Sequence, residues 1–385
     1  MARIESLNIL LDPSGKALLA ELYGKVIENV QKATISSILK NRDLSGDPTT
    51  GTVEANRYQN SVSKEYGSAR TAGKGEYVKA KPVTIAIDVD REIIEELEHK
   101  DVKLYGVDGV LNRRSVNHIK SMIRDLEEAF FFEMAQGAEI DFVPSSGGNT
   151  AAENLEEMFV LLSKVRNAYV NGVDRSLMTL ILNPETYSTI RNYLDAGVGN
   201  ANVNTAAGQF GMFHGVQVFE SIYLPKGVRA LLETAGSVAQ PVMSNSYTAE
   251  KIGLSNAFAV ELFYSYGTKI VTPDLVVVWK YQLATPTISE SSNALTITKV
   301  ANASHYEIYG KKAGGEPFLA KSIKTADLTG AVDLKALAAN PATASKPFKI
   351  GDTYSVYVLA TNDGEVWKPS KAQDTPVTWT ATDGN

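Results

Sequence analysis

Residues 83–135 read VTIAIDVDREIIEELEHKDVKLYGVDGVLNRRSVNHIKSMIRDLEEAFFFEMA. Three patterns follow one another in this stretch. Val83–Val89 alternates apolar and polar side chains, the mark of a strand half-buried on a core. Arg91–Glu98 is rich in Glu and is expected to continue as a short acidic helix. Val116, Ile119, Ile123, Leu126 and Phe130 then recur at spacings of three and four, with Met134 following, so they share one helical face. A helix from Ser115 to Ala135 would span about 30 Å at ~1.5 Å per residue.

Upstream, Asp12 and Pro13 form an N-cap and first-turn pair. Leu18, Leu22, Val26 and Val30 follow on one helical face. Residues 41–82 change character: they are polar, Gly-rich and poor in large aliphatics. Such a segment cannot bury enough surface to offset its own ordering, and it is too long for an ordinary connection. It reads as a long two-stranded excursion that packs on something else. Downstream, Leu155, Met158, Phe159, Leu162 and Val165 mark a second helix. Leu177–Leu182 reads as a buried strand, and Asn183-Pro184-Glu185 starts a further helix that ends at Gly197. A loop follows over 197–211. Val216–Phe219, Ala230–Glu233, Phe258–Tyr266 and Leu275–Trp279 read as strands. The class is α+β, with one very long helix and a mixed sheet.

The composition breaks near residue 285. All twelve arginines lie between Arg3 and Arg229. From Thr285 onward there are ten Lys and ten acidic residues, so the whole net charge of −6 resides in residues 1–284. The polar, Pro-containing LATPTISESS at the break is linker-like. Beyond it, Ala294–Val300, His305–Gly310, Pro317–Ile323, Tyr354–Ala360 and Pro376–Thr382 read as short strands separated by turn signals. That spacing points to a β-sandwich.

The 385 residues contain no cysteine, which excludes disulfides, thiolate zinc sites and cysteine nucleophiles. No stretch approaches the ~18–20 apolar residues of a membrane span. The N-terminus MARIESLNILLDPSGK has too short an apolar core for a secretory signal. The mild acidity argues against a dedicated nucleic-acid binder.

Catalytic motifs are equally scarce. His99, His118, His214 and His305 are scattered, with no pair at metal-ligand spacing. No G-x-S-x-G elbow supports a Ser-His-Asp triad. Gly15-Lys16 lacks the rest of a P-loop, and Gly73-Lys74-Gly75 lacks the strand–helix context of a dinucleotide site. Ser61 and Lys64 match a Ser/Lys spacing without its companion motifs. The carboxylate clusters at Glu92–Glu98 and at Asp125, Glu127 and Glu128 read as solvated helix faces. Asp88 and Asp90 share one strand face, where they could contribute to a Ca²⁺ site, but no loop of ligand spacing follows. No enzymatic role, metal or cofactor is expected.

What remains is a charge contrast. Residues 52–81 carry Arg57, Lys64, Arg70, Lys74, Lys79 and Lys81 against three Glu, net +3. Residues 91–101 carry Glu92, Glu95, Glu96, Glu98 and Asp101 against Arg91 and Lys100, net −3. These are either two unrelated solvated surfaces or a basic arm and an acidic element that dock between copies of the chain. Docking of that kind would set register more than affinity.

The order of parts resembles the major capsid protein of tailed bacteriophages, with the Hong Kong 97-type fold. VTIAIDVDREIIEEL followed by SVNHIKSMIRDLEEAFF resembles the return strand of the extended loop, a short helix and the spine helix. LMTLILNPETYSTIRNYLDAG and GMFHGVQVFESIYLP resemble the axial-domain strand, its helix and the segment after them. AFAVELFYSYGTKIVTPDLVVVWK resembles the closing strands. The likeness covers about residues 15–280. It implies an N-terminal arm over 1–50, an extended loop over 51–82, and peripheral and axial domains over 83–284.

The final segment, 285–385, resembles an immunoglobulin-like, fibronectin type III-like domain. FKIGDTYSVYVLA looks like its corner motif with Tyr354 as the corner tyrosine, and SHYEIYGK looks like its third strand. The second-strand Trp is missing from ALTITKV.

The resemblance implies hexamers and pentamers that close into an icosahedral phage head around double-stranded DNA, which the wall touches weakly. The extended loop would lie over a neighbour, and the loops at 197–211 and 235–250 would approach the capsomer centre. Portal and scaffolding proteins are implied partners. No residue pair is assigned to an isopeptide cross-link. The projecting domain could bind host-surface carbohydrate weakly, with Trp367 and Trp379 as platform or core residues. An encapsulin-like compartment would share the fold. A secreted carbohydrate-active enzyme with a fibronectin-like module, or an adhesin, would need an export signal.

Overall fold

The structure, a computed structural model, describes residues 7–61, 63, 65–66, 80–195, 203–204, 209–244, 247–342 and 346–382. The chain divides into two compact units. The first is Met1–Leu224 with Ala230–Val278, and the second is Pro225–Arg229 with Trp279–Asn385.

The first unit begins with α1 (Pro13–Ala33) and the one-turn α2 (Ser36–Leu39). Asp12 sits in extended backbone ahead of Pro13, so the chain enters the helix where proline's missing N–H costs nothing. An antiparallel ribbon follows, built from β1 (Leu44–Ser45), β2 (Thr52–Tyr58) and β3 (Ala80–Ala86). Next come β4 (Val89–Leu97), α3 (His99–Gly137) and β5 (Ile140–Asp141). They are followed by α4 (Ala151–Ser163), β6 (Met178–Leu182) and α5 (Pro184–Asp195). The short pair β7 (Val203–Asn204) and β8 (Gln209–Phe210) precedes β9 (Met212–Phe213), β10 (Val216–Glu220) and β11 (Val228–Thr234). The rest are β12 (Val238–Ala239), β13 (Val242–Ser244), β14 (Thr248–Lys251), β15 (Phe258–Tyr266), β16 (Lys269–Ile270) and β17 (Val276–Lys280).

Two sheets organise these strands. One is mixed and six-stranded, in the order β5-β17-β11-β6-β10-β9, with β10 parallel and β11 antiparallel to β6. All five residues of β6 are buried, as a central strand covered on both faces requires. In the other sheet β15 is central. β14 and β13 pair with successive parts of one edge, and β4 pairs along the whole of the other. α1 and α3 cover this sheet. Leu19, Leu22 and Val26 of α1 meet Met122 and Leu126 of α3 and Leu262 of β15 in one buried cluster.

Three expectations are corrected. Arg91–Glu98 is not a helix: residues 89–97 form a strand whose nine residues pair with Phe258–Tyr266. Helix propensity differences are small per residue and lose to a continuous ladder with a packed face. The long helix starts at His99 rather than Ser115. A capping box between Glu98 and Asp101 begins it, and Gly106 breaks it with φ +73. Gly106 and Gly109 had masked the helical pattern there. The 235–250 segment is no free loop. Val238 and Ala239 are buried and pair with β16. Gln240 is also buried, and its amide donates to the Leu126 carbonyl at 2.9 Å. Most of 197–211 lies outside the described residues.

The second unit contains β18 (Ile288–Ser291), β19 (Ala294–Ile297), β20 (His305–Lys312), β21 (Phe318–Lys324) and β22 (Val332–Asp333). It continues with β23 (Ala338–Ala339), β24 (Phe348–Lys349), β25 (Thr353–Thr361) and β26 (Val377–Thr380). β18-β19-β22 form one sheet and β21-β20-β25-β26 another. Leu295 and Ile297 from the first share a core with Tyr306, Ile308, Val356 and Val358 from the second. The alternation in β25 delivers this directly, with Tyr354, Val356, Val358 and Ala360 all buried. The Tyr354 hydroxyl accepts the Lys349 N–H at 3.1 Å, closing the turn ahead of its own strand.

Gly267 follows β15 at a point of close approach. A Cβ there would lie 1.8 Å from the Ala86 carbonyl oxygen, and both positions are backbone-fixed. Gly267→Ala is therefore expected to destabilise the first unit by about 3 kcal/mol, at the upper end of overpacking costs. Urea unfolding monitored at this unit's tyrosines would measure it.

Candidate assembly interface

The root of the ribbon rests on the first unit through a small apolar patch. Val53 and Ala55 of β2 and Ile85 of β3 pack against Ala239 and Val271. Beyond that patch the side chains become polar, and Tyr58 at the outer end of β2 is exposed. Arg57 fixes the direction in which the ribbon leaves. Its guanidinium makes two parallel bonds to Asp274, at 2.6 and 2.7 Å. Fork-to-fork pairing of this kind is the most directional ion pair available to a side chain. Asn167 donates to the same carboxylate. The Tyr169 ring lies 4.3 Å below the guanidinium, and the Asn60 N–H donates to the Ala168 carbonyl at 2.9 Å. Burial alone would push the Asp274 carboxyl up, but the bonds from Arg57 and Asn167 and the Arg57 charge outweigh it. They hold the carboxyl below the usual carboxylate range.

A second polar network lies under β4. Alternation along this strand sends Ile93, Glu95 and Leu97 inward and leaves Glu92, Ile94 and Glu96 exposed. Glu95 accepts from Arg114 Nε of α3 at 2.8 and 2.9 Å. His118 Nε2 is 3.1 Å from a Glu95 oxygen. That is an ion-pair distance without the alignment of a hydrogen bond. On its other side His118 Nδ1 meets the Tyr247 hydroxyl at 2.7 Å. Burial pushes the Glu95 carboxyl up, but Arg114 and His118 prevail and keep it low. Burial and the Glu95 charge push the Tyr247 hydroxyl up. Beside this network, β4 and the start of α3 enclose an open groove of about 650 Å³. Ile93, Ile94, Leu97, Tyr105 and Val110 supply its apolar lining. The Arg113 guanidinium lies 4.0 Å over the Tyr105 ring.

The charged residues expected to mediate docking are distributed as follows. Arg57 is committed to Asp274 within the chain. Lys81 is exposed on β3, while Lys64, Arg70, Lys74 and Lys79 lie outside the described residues. Glu92 and Glu96 are exposed on β4, and Glu95 is engaged inside. Glu98 caps α3 and pairs with Lys100 at 2.6 Å. In the second unit Trp379 is buried, and its Nε1 donates to Asn293. Trp367 is half-buried and donates to Glu365.

Sequence reasoning missed the partners of Arg57, because Asp274 stands 217 positions away and carries no local signal. It also misread the acidic cluster of the long helix as wholly solvated. Glu127 is buried, accepts the Ser36 N–H at 2.7 Å and so holds the start of α2. Burial raises its carboxyl above the usual range. Asp125 accepts from the Tyr264 hydroxyl at 2.8 Å. Among the described residues no cluster of three metal-ligating side chains occurs, and no helix is long and apolar enough to cross a membrane.

No protein-family model matches the chain, and no curated protein matches it. Its neighbours among solved structures are phage capsids and a virus-like particle. A Mycobacterium phage Che8 structure shares 18% identity over 64% of this chain and 90% of its own, with a TM-score of 0.49. The capsid of cyanophage P-SCSP1u shares 17% over 64% and 88%, also at 0.49. A virus-like particle from Pyrococcus furiosus shares 14% over 68% and 98%, at 0.43.

Removing Arg57 would strand the Asp274 carboxylate in a mostly buried site. Arg57→Met is expected to destabilise the first unit by about 3 kcal/mol, and Arg57→Met with Asp274→Leu to recover most of that. Chemical denaturation of the three proteins measures it. The depressed Asp274 pKa also fixes a sign. Its stabilisation is complete above the unfolded value near 3.8 and is lost as pH falls through the lower folded value. Wild-type stability should therefore drop more steeply below about pH 4 than that of the double variant.

Proposed function

We propose that this chain is the major capsid protein of a tailed bacteriophage, with a Hong Kong 97-type fold and an appended immunoglobulin-like domain. The observation that carries the reading is the ribbon of residues 44–86. Among the described residues its apolar contacts are confined to its root, and it leads directly into β4 and the long α3. A polar ribbon whose apolar contacts lie at its root gains little within one chain. It gains a great deal where another copy covers it.

In this reading the ribbon is the extended loop, α3 is the spine helix, and the six-stranded sheet with α4 and α5 is the axial domain. Copies form hexamers and pentamers of an icosahedral head enclosing double-stranded DNA, in the virion. Portal and scaffolding proteins are its partners. The basic arm residues Lys64, Arg70, Lys74, Lys79 and Lys81 face an acidic row on a neighbour. That row narrows to Glu92 and Glu96, since Glu95 and Glu98 serve the chain's own fold. Arg57 orients the arm rather than contacting the neighbour. Residues 285–385 project as the immunoglobulin-like domain with Tyr354 as its corner residue. Weak carbohydrate binding there falls to exposed residues other than Trp379.

The purified chain should form megadalton particles by negative-stain microscopy, and a chain that stays monomeric at every concentration and salt would contradict the shell. DNA inside particles recovered from infected cells separates a phage head from a cargo compartment. Deleting residues 285–385 should leave particles intact. Glu92→Lys with Glu96→Lys should lower particle yield severalfold at low salt and less at 0.5 M, where the Debye length shrinks to roughly 4 Å. An unchanged yield would remove the docking role.

A further inference from the structure

The hairpin between β14 and β15 presents an anomaly. Its tip is a built turn: the Ile252 N–H donates to the Ala257 carbonyl at 3.1 Å and the Ser255 N–H to the Ile252 carbonyl at 3.2 Å. The Ala257 N–H donates to Ser255 Oγ at 3.1 Å. At the apex stands Leu254, fully exposed at 113% of its reference area. Its φ is +58, a left-handed conformation that a side chain bearing Cβ disfavours and glycine or asparagine adopts readily. Gly253 and Asn256 lie within the same turn. A leucine at this position is unfavourable twice over for the isolated chain, in backbone and in hydration.

The groove between β4 and α3 offers an apolar lining on the same molecule. Ile93, Leu97 and Val110 form its floor, and Ile94 and Tyr105 stand exposed on its rim. At about 650 Å³ it has room for a leucine side chain. Glu96 and Asp101 lie at its edge together with Lys100, Arg113 and Arg114, so the edge is mixed in charge and the apolar lining is what it offers. Knob and groove lie at the same end of one sheet, because Lys251 pairs with Phe258 and Phe258 with Leu97. Leu254 is bare, so it does not occupy the groove of its own chain. A protruding patch and a receptive patch on one molecule make a head-to-tail contact that propagates around a ring when the rotation closes.

We propose that Leu254 seats in the Ile94–Tyr105 groove of a second copy of this chain. This rests on the shell reading and names one of its contacts. The strained backbone is then offset in the assembly rather than in the subunit.

The absence of cysteine makes a direct test clean. Leu254→Cys protein mixed with Ile94→Cys protein and oxidised under assembly conditions should give a disulfide-linked dimer on a non-reducing gel, in yield about tenfold above either variant alone. Leu254→Gly relieves the backbone, so its melting temperature should match or exceed wild type. The protein concentration needed for particles should nevertheless rise about tenfold, the scale expected when one buried leucine contact is lost. Ile94→Lys should act likewise from the groove side. Particles that form without the mixed disulfide overturn the contact while leaving the shell reading standing. So does a Leu254→Gly protein that assembles at the wild-type concentration. A wild-type chain that never forms particles overturns both.

Discussion

The nine-residue pairing of β4 with β15 is the constraint on which the first unit depends. It joins the segment that follows the ribbon to one that lies more than 160 positions later, from Val89↔Tyr266 to Leu97↔Phe258. Alternation along this ladder turns Ile93 and Leu97 onto the core and sets the exposed row of Glu92, Ile94 and Glu96 on the other face. α1 and α3 then have a sheet to cover, and neither amphipathic face would be buried without it. The ladder also makes β4 an outer strand. The usual protections of such an edge are present in its charged side chains and in the helix beside it.

The same pairing ties the ribbon to the body. β3 ends at Ala86 and β4 begins at Val89, so the ribbon's return strand feeds straight into the ladder. The Gly267 backbone presses on Ala86 at this junction. Arg57 and Asp274 hold the outer end of β2. Two charges this far from water are costly unless each finds full bonding. Asn167 and the Tyr169 ring complete the site. Among the described residues, β2 is therefore anchored both by its apolar patch and by a directional ion pair.

Much of the architecture was legible. Periodicity identified the faces of α1 and α4, the end of α3 and the alternating β25, and the apolar runs marked the buried β6 and the strand β15, because sequence records which side chains are apolar. Where the reading failed, local preference and tertiary pairing disagreed. Glu92–Glu98 favours a helix locally, yet its partner strand supplies hydrogen bonds and a packed face that outweigh the preference. Glu127 looked solvated because a carboxylate's neighbours along the chain say nothing of Ser36, 91 positions away.

The sequence by itself determined the inventory: a basic polar excursion, an acidic segment after it, a long helix, a mixed α+β body, a β-rich tail and no thiol chemistry. These follow from residue types and spacings of a few positions, where geometry is fixed by the backbone period. Only the tertiary structure decided which charges are spent inside the chain and which stay exposed. Arg57, Glu95 and Glu98 carry the same charges as Lys81, Glu92 and Glu96, and the difference lies in Asp274, Arg114 and the N-terminus of α3. The exposed Leu254 and the groove at Ile94 are likewise products of folding. Exposure and backbone strain are properties of a packed surface, and no pattern along the chain encodes them.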